Sequence, residues 1–458
     1  MRYISTRGQA PALGFCDALL AGLAVDGGLY VPEQWPAFPQ VQPGAPYARV
    51  AAGVVGAFAG GELEPALLER LCDEAYAGFR HPAVCPLVQL DADEWLLELF
   101  HGPTLAFKDL ALQLVGRLFD HVLTQRDERI TVLVATSGDT GSAAISGLAS
   151  CSRAEVVVLY PQGRVSPVQR RQMTTVDAPN VHAVAVDGTF DDCQGIVKQL
   201  FGETAFRERV GLAAANSINW ARVAAQVAYY VWATNALGGR ALAFAVPTGN
   251  FGNVLSGWVA RASGLPLERL VIGSNANDIL PRLLATGRME ARDVVPTLSP
   301  SMDIQVSSNL ERLLFELYGR DPERTARELA AFAQTGSLTL GDAPLAALRE
   351  LFEATAFDDD ATLAAMRLEY DRSGALLDPH TAVGLAAGRA GSGGRDTPLV
   401  ALATAHPAKF PAAVERATGV SPALPPALAD LHERHERIEH VAADAGAVRR
   451  LVERLATR

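Results

Sequence analysis

Lys108 lies in the stretch HGPTLAFKDLALQ (residues 101–113), behind a Gly-Pro-Thr turn and among apolar residues, where a helix is expected to begin. A helix N-terminus carries partial positive charge, and burial penalises an ammonium, so this amine should titrate below its ordinary value. An uncharged amine is what imine formation with an aldehyde requires. The plainer alternative is a lysine on a helix edge that snorkels to water.

Three further loops carry groups that suit a site around such an amine. PTGNFGN (residues 247–253) follows an apolar strand pattern and opens a helix, with Gly249 and Gly252 in the turn. Its backbone N–H groups suit one phosphate, held by amides and the helix dipole without a lysine. No G-K-[ST] ending and no G-x-G-x-x-G occurs, which argues against a triphosphate or dinucleotide site. TSGDTG (residues 136–141) places the hydroxyls of Ser137 and Thr140 and the amide of Gly138 around a small cradle fit for a carboxylate. Asp139 sits inside that cradle and needs a cation or hydroxyl partner; taken alone, the cluster would read as a helix cap. In LATAHPAKF (residues 402–410), Thr404 ends a strand pattern and can offer a neutral hydroxyl to a ring nitrogen, or merely cap the turn before Pro407. An imine-forming amine, a phosphate cup, a carboxylate cradle and a neutral ring-nitrogen partner together make the inventory of a pyridoxal 5'-phosphate site acting on an amino acid.

Such loops need a scaffold. Short β-branched runs near residues 130–135, 155–160 and 181–186, and later in ALAFAVPTGN, RLVIGSNAND and TPLVALATAH, alternate with amphipathic helical segments. Strands apolar on both faces and separated by helices imply parallel sheets covered by helices, with ligands at the carboxyl ends of the strands. The first hundred residues are mostly helical in pattern, with a turn at DGGLYVPE (26–33); residues 309–362 are helix-rich and read as an insertion or side layer. GRAGSGGRD (388–396) reads as a short flexible loop, and a Pro-rich break at 421–430 opens a polar helical tail.

The chain has 458 residues, 40 Lys plus Arg against 51 Asp plus Glu, and a net charge of −11. That acidity argues against nucleic acid as a partner. Five scattered cysteines, with no C-x-x-C pair, suit buried thiols in a reducing cytoplasm. Neither a signal peptide nor a membrane-spanning run is evident. LHERHERIEH (431–440) fits no H-E-x-x-H spacing, so His432 and His435 are assigned to a charged, exposed helix and no metal is expected. His101, His380 and His406 are assigned to structural turns.

Six stretches, in order DGGLYVPE, HGPTLAFKD, ATSGDTGSAA, NSINWAR, PTGNFGN and TAHPAKF, resemble the threonine synthase family, in its bacterial and fungal branch, through to about Pro411. The resemblance implies a tryptophan-synthase-β-like α/β fold: two parallel-sheet domains with helices on both faces and a mostly helical N-terminal domain. The implied division is an N-terminal domain at 1–95, a small cofactor domain at 96–235 carrying Lys108, a large one at 236–420 with the insertion near 309–362, and a helical tail at 421–458. It also implies that Lys108 and Phe107 hold pyridoxal 5'-phosphate, that Gly249, Asn250, Phe251, Gly252 and Asn253 cup its phosphate, and that Thr404 faces its ring nitrogen. Asp139 would lie beside the cofactor's phenolic oxygen. The implied reaction turns O-phospho-L-homoserine and water into L-threonine and phosphate, in a cytoplasmic monomer or homodimer. Ser137, Gly138 and Thr140 would hold the substrate carboxylate. Arg222 of NSINWAR, with Asn216 and Asn219, would take its phosphate, and GRVSPVQRR adds Arg164, Arg170 and Arg171 as candidates. The rival readings are a serine or threonine dehydratase or another lyase of the same cofactor, for which Arg222 would be idle, and a non-catalytic binder.

Overall fold

A computed structural model describes residues 1–391 and 397–456. Two sheets organise the chain. The larger has six strands in the order Phe352–Ala356, Leu267–Ser274, Leu242–Pro247, Leu399–Ala403, Glu94–Glu98 and Leu87–Asp91. All neighbours run parallel except the last pair, an antiparallel hairpin. The smaller has five parallel strands, Glu439–Ala442, Val181–Asp187, Ala154–Pro161, Ile130–Ala135 and Leu212–Ala213. Every residue of Leu242–Pro247 is buried, as a strand covered on both faces requires.

The segment before residue 77 contains three helices between longer irregular stretches and a short ladder. Its helices Phe15–Ala21, Tyr47–Ala59 and Pro65–Tyr76 form one apolar core with the helix Trp220–Ala236, around the buried rings of Tyr3, Phe58 and Trp220. A two-stranded ladder, Tyr3–Ser5 with Tyr30–Pro32, closes this segment.

The expected division meets the structure unevenly. The boundary at 95/96 falls within Glu94–Glu98, a strand hydrogen-bonded to Leu399–Ala403. The region 309–362 is mainly helical, but Phe352–Ala356 adds an edge strand to the larger sheet. The helix expected over residues 431–440 is absent: turns occupy 431–434, and Glu439–Ala442 pairs with Val181–Asp187 before the helix Ala445–Ala456. An open sheet edge with unpaired backbone groups outweighs the helical charge pattern there. Of the loop expected at 388–396, residues 392–396 lie outside the described residues, and Gly388 to Gly391 end the helix Pro379–Gly391.

This topology places three candidate loops at carboxyl ends of parallel strands. TSGDTG follows Ile130–Ala135, TGNFG follows Leu242–Pro247, and Thr404 follows Leu399–Ala403. The fourth, carrying Lys108, is tied to them where Phe107 N–H donates to Thr404 O at 2.9 Å.

Candidate active site

Between the two sheets lies a cavity of about 610 Å³, and Phe107, Lys108, Ser137, Asp139, Thr140, Asn216, Arg222, Thr404 and residues 249–253 line it. Of the expected site residues and candidates, Gly138, Asn219, Arg164, Arg170 and Arg171 are not on its wall.

Lys108 is the first residue of the helix Lys108–Arg126 and is 8% exposed. Its Nζ lies 3.3 Å from Asp139 Oδ2 and 4.9 Å from the centre of the Phe107 ring. Burial lowers its pKa; Asp139 opposes this, and the charges of Lys409 and Arg222 add to it. Burial pushes Asp139 the other way, but Lys409 and Lys108 outweigh it and hold the carboxyl well below its usual range. Both lysines thus favour the carboxylate form of Asp139.

Lys409 is fully buried, on the short turn Pro407–Lys409. Its Nζ lies 2.8 Å from Asp139 Oδ1 and donates to Thr104 O at 2.7 Å. Gln169 Nε2 donates to Asp139 Oδ1 at 2.9 Å, and Ser301 Oγ approaches Oδ2 at 3.5 Å. Sequence reading assigned no role to Lys409 or Gln169. The one available signal for Lys409 was a lysine inside an apolar motif, the same signal that marked Lys108.

The carboxylate cradle is held from below by Thr136, whose Oγ1 accepts from Gly138 N–H at 2.9 Å and Gly141 N–H at 2.8 Å. Gly138 has φ +132°, and a Cβ there would lie 2.4 Å from Gln169 Cδ, so only glycine fits. Gly138 thus shapes the loop, while Ser137 and Thr140 line the cavity.

The TGNFG loop opens the helix Gly252–Ala262. Phe251 adopts φ +63°, a strained left-handed conformation. Among the described residues, no backbone carbonyl accepts from the amides of Gly249, Asn250, Phe251, Gly252 or Asn253. Asn253 Oδ1 accepts from Tyr229 at 2.6 Å and Tyr230 at 3.1 Å, while its buried Nδ2 has no partner. Free donors at a helix N-terminus and a buried, unpaired amide are the chemistry a phosphate ester needs, so these residues fit pyridoxal 5'-phosphate.

Arg222 is 2% exposed and reaches the cavity from the first turn of Trp220–Ala236. Nη1 donates to Ala215 O at 3.2 Å, Nε has no partner, and among the described residues no carboxylate pairs with it. Burial lowers its pKa to about 10, still cationic at neutral pH. Asn219, its neighbour in the motif, is a helix cap: Oδ1 accepts from Ala221 N–H, and Nδ2 donates to Leu19 O and Ala214 O. Nothing of Asn219 is left for a substrate. Asn216 lines the cavity, with Oδ1 accepting from Ile218 N–H. Arg164 is exposed on the turn after Ala154–Pro161, and Arg170 and Arg171 grip Glu436 of the tail.

Thr404 is pinned by its backbone, its N–H donating to Thr381 Oγ1 at 3.1 Å. His380 reaches the cavity wall, whereas His101 pairs with Glu98 and His406 caps its own turn by accepting from Ala408 N–H. Among the described residues, no group of three or more His, Cys, Asp or Glu could hold a metal.

Three family models match the chain: threonine synthase N terminus over residues 2–76, pyridoxal-phosphate dependent enzyme over 81–338, and threonine synthase, C-terminal, over 381–452. The likeness thus continues past Pro411 into the tail, further than the motifs alone reach. A threonine synthase of Pseudomonas aeruginosa is 52% identical over 444 residues, 95% of each chain. That of Schizosaccharomyces pombe is 42% identical over 91% of this chain and 89% of its own. Among solved structures, the pyridoxal-phosphate-bound threonine synthase of Brucella melitensis superposes with a TM-score of 0.96 at 50% identity, covering all of both chains. The yeast threonine synthase structure gives 0.92 at 38% identity, over 100% of this chain and 99% of that one.

Proposed function

The chain belongs to the threonine synthase family of pyridoxal-phosphate-dependent lyases, and on that premise we propose that it converts O-phospho-L-homoserine and water into L-threonine and inorganic phosphate, with the cofactor held at Lys108. The observation that carries the substrate is Arg222: a buried guanidinium with no counter-charge, in the same cavity as Lys108, is a place for a second phosphate. A dehydratase acting on an unphosphorylated amino acid would leave that cation unpaired.

Pyridoxal 5'-phosphate, when bound, supplies the electron sink that makes protons at Cα and Cβ of an amino acid removable. The amides of residues 249–253 and Asn253 Nδ2 would hold its phosphate. Asp139 would hold its phenolic oxygen, and the neutral Thr404 hydroxyl would serve its ring nitrogen without protonating it, which would discourage transamination. Ser137 and Thr140 hold the substrate carboxylate, and Gly138 shapes the loop that presents them. Arg222 takes the substrate phosphate, with Asn216 at the same wall.

Lys108 Nζ, uncharged, removes the Cα proton. Loss of a Cβ proton lets phosphate leave from Cγ towards Arg222, Cγ gains a proton, water adds at Cβ, and Cα is reprotonated. Lys108 is the base near Asp139 and carries more than one of these protons. A cytoplasmic setting suits the five free, buried thiols; among the described residues, no helix is long and apolar enough to cross a membrane.

The test is to supply O-phospho-L-homoserine to the holoenzyme and measure phosphate, threonine and 2-oxobutyrate. Equal yields of threonine and phosphate support the assignment; 2-oxobutyrate in place of threonine refutes it.

A further inference from the structure

Two buried lysines meet one buried carboxylate in this cavity wall. Lys108 and Lys409 approach opposite oxygens of Asp139, at 3.3 and 2.8 Å. Lys409 is the shorter contact and is fully buried, and its second hydrogen bond, to Thr104 O, anchors it to the turn that precedes Lys108. At Asp139 itself, two lysines meet one carboxylate. One of them suffices to pair it.

We propose that Lys409 is the resident counter-ion of Asp139, a positioning residue that keeps the carboxylate charged and so frees Lys108 to lose its proton. The inference rests on the reading that Lys108 holds the cofactor, and it supplies what that reading lacks. A lone Asp139 beside Lys108 would stabilise the ammonium, the form that cannot make the imine. It would also be left as an uncompensated buried charge once the Lys108 amine was engaged, which is costly. With Lys409 in place, Asp139 stays paired in both conditions, and the second cation repels a proton on Lys108.

The surrounding groups agree with this division. Facing Lys409 are Asp139, Lys108 and Asp109, and Asp109 is occupied by the Thr104 amide and hydroxyl, both at 2.7 Å, with Arg80 close by. Facing Lys108 are Asp139, Lys409 and Arg222. Facing Asp139 are the two lysines, His380, Gln169 and Ser301. Arg222 is a further cation and His380 also favours the Asp139 carboxylate, but only Lys108 and Lys409 bring a cationic nitrogen within 4 Å of its oxygens.

The experiment uses holoenzyme stripped of pyridoxal 5'-phosphate and reloaded between about pH 6 and 10, following the growth of visible absorption. Wild type, Lys409→Met, and the double variant Lys409→Met with Asp139→Asn are compared, with a thermal melt of each. In Lys409→Met, Asp139 holds Lys108 as an ammonium, so the midpoint of uptake should rise by about one pH unit or more, with loading about tenfold slower at neutral pH. The double variant removes both charges and should bring the midpoint back towards wild type. A midpoint that stays put in Lys409→Met, or a rise that Asp139→Asn does not reverse, overturns the proposal. A merely structural lysine would lower the melting temperature and leave the midpoint alone. Should Lys409→Met not fold, Asp139→Asn alone decides: with two cations and no anion its midpoint should fall below that of wild type, and a rise would refute the idea. Failure of wild type itself to load at Lys108 would sink the proposed function instead.

Discussion

Arg222 and Ala215 are joined by one hydrogen bond, Nη1 to the carbonyl oxygen at 3.2 Å, and among the described residues it is the only hydrogen bond made by this buried guanidinium. A buried cation without a partner destabilises the protein that carries it. Its retention makes sense if an anionic ligand completes it.

The first prediction follows from that imbalance. Arg222→Leu should leave the melting temperature of the ligand-free protein unchanged or higher, because an unpaired buried charge is removed. It should also lower kcat/KM for O-phospho-L-homoserine by about 10²-fold or more, the usual cost of deleting one member of a buried ligand–charge pair. Inorganic phosphate should raise the melting temperature of wild type and not of the variant. A variant that is both less stable and fully active would assign Arg222 to packing.

Gly249 tests the phosphate cup. A Cβ at this position would lie 2.6 Å from Ser301 O and 3.1 Å from Met302 Cα, both backbone atoms that cannot rotate away. Gly249→Ala must therefore displace either the cup or the segment whose Ser301 approaches Asp139. Cofactor retention on dialysis, followed by visible absorption, should fall about tenfold or more, in keeping with an orienting contact misplaced by a fraction of an ångström. Undiminished retention would mean the cup does not touch the cofactor.

How far the sequence alone reached depends on whether the cause was local. The strand Ile130–Ala135 was legible because its apolar run and the glycine-rich turn after it are neighbours in the chain. Lys108 was legible for the same reason. Lys409 was not, since its meaning lies in Asp139, far away along the chain and adjacent only after folding. Asn219 shows the converse: it shares a motif with Arg222, yet the cap it forms points it into the protein interior. Arg222 stands out from Arg164 already in sequence by its apolar flanks, and the structure separates them further, with Arg222 buried on the cavity wall and Arg164 exposed. Within the tail, residues 431–440 carry a helical charge pattern but do not form a helix, because what Glu439–Ala442 pairs with, the free edge of Val181–Asp187, cannot be seen in their own pattern; the helix comes later, at Ala445–Ala456.

His406 supplies a pH prediction. Burial, with Arg80 and His101 nearby, lowers its pKa from 6.5 to about 4. Between these values the unfolded chain binds the proton and the folded protein does not, so stability rises with pH across the window and is lost as pH falls from 6.5 towards 4. Asp109, raised by burial to about 6, acts with the opposite sign over part of this range. That contribution is common to wild type and His406→Asn, so it cancels in their difference. The stability advantage of wild type over His406→Asn, from urea unfolding, should shrink by up to about 1.4 kcal/mol per pH unit on acidification through the window. An advantage independent of pH would mean that His406 is not held neutral.

His380 is the histidine on the cavity wall, and its position invites a role as a base. Its hydrogen bonds argue otherwise. Nε2 accepts from Ser301 N–H at 3.2 Å, and Nδ1 lies 2.8 Å from Asp378 Oδ1, to which it donates. Asp378 is in turn held by Thr381, whose hydroxyl accepts from the Thr404 amide. With one nitrogen donating to a carboxylate and the other taken by a backbone amide, the ring has no lone pair for a substrate proton; it braces Ser301 against the site. His380→Gln, whose side-chain oxygen can still accept from Ser301, should lower kcat by less than about tenfold and leave both limbs of its pH profile in place. A true proton carrier would cost about 10²–10⁴-fold. A loss of that size, with one limb of the profile gone, would move proton transfer from Lys108 to His380.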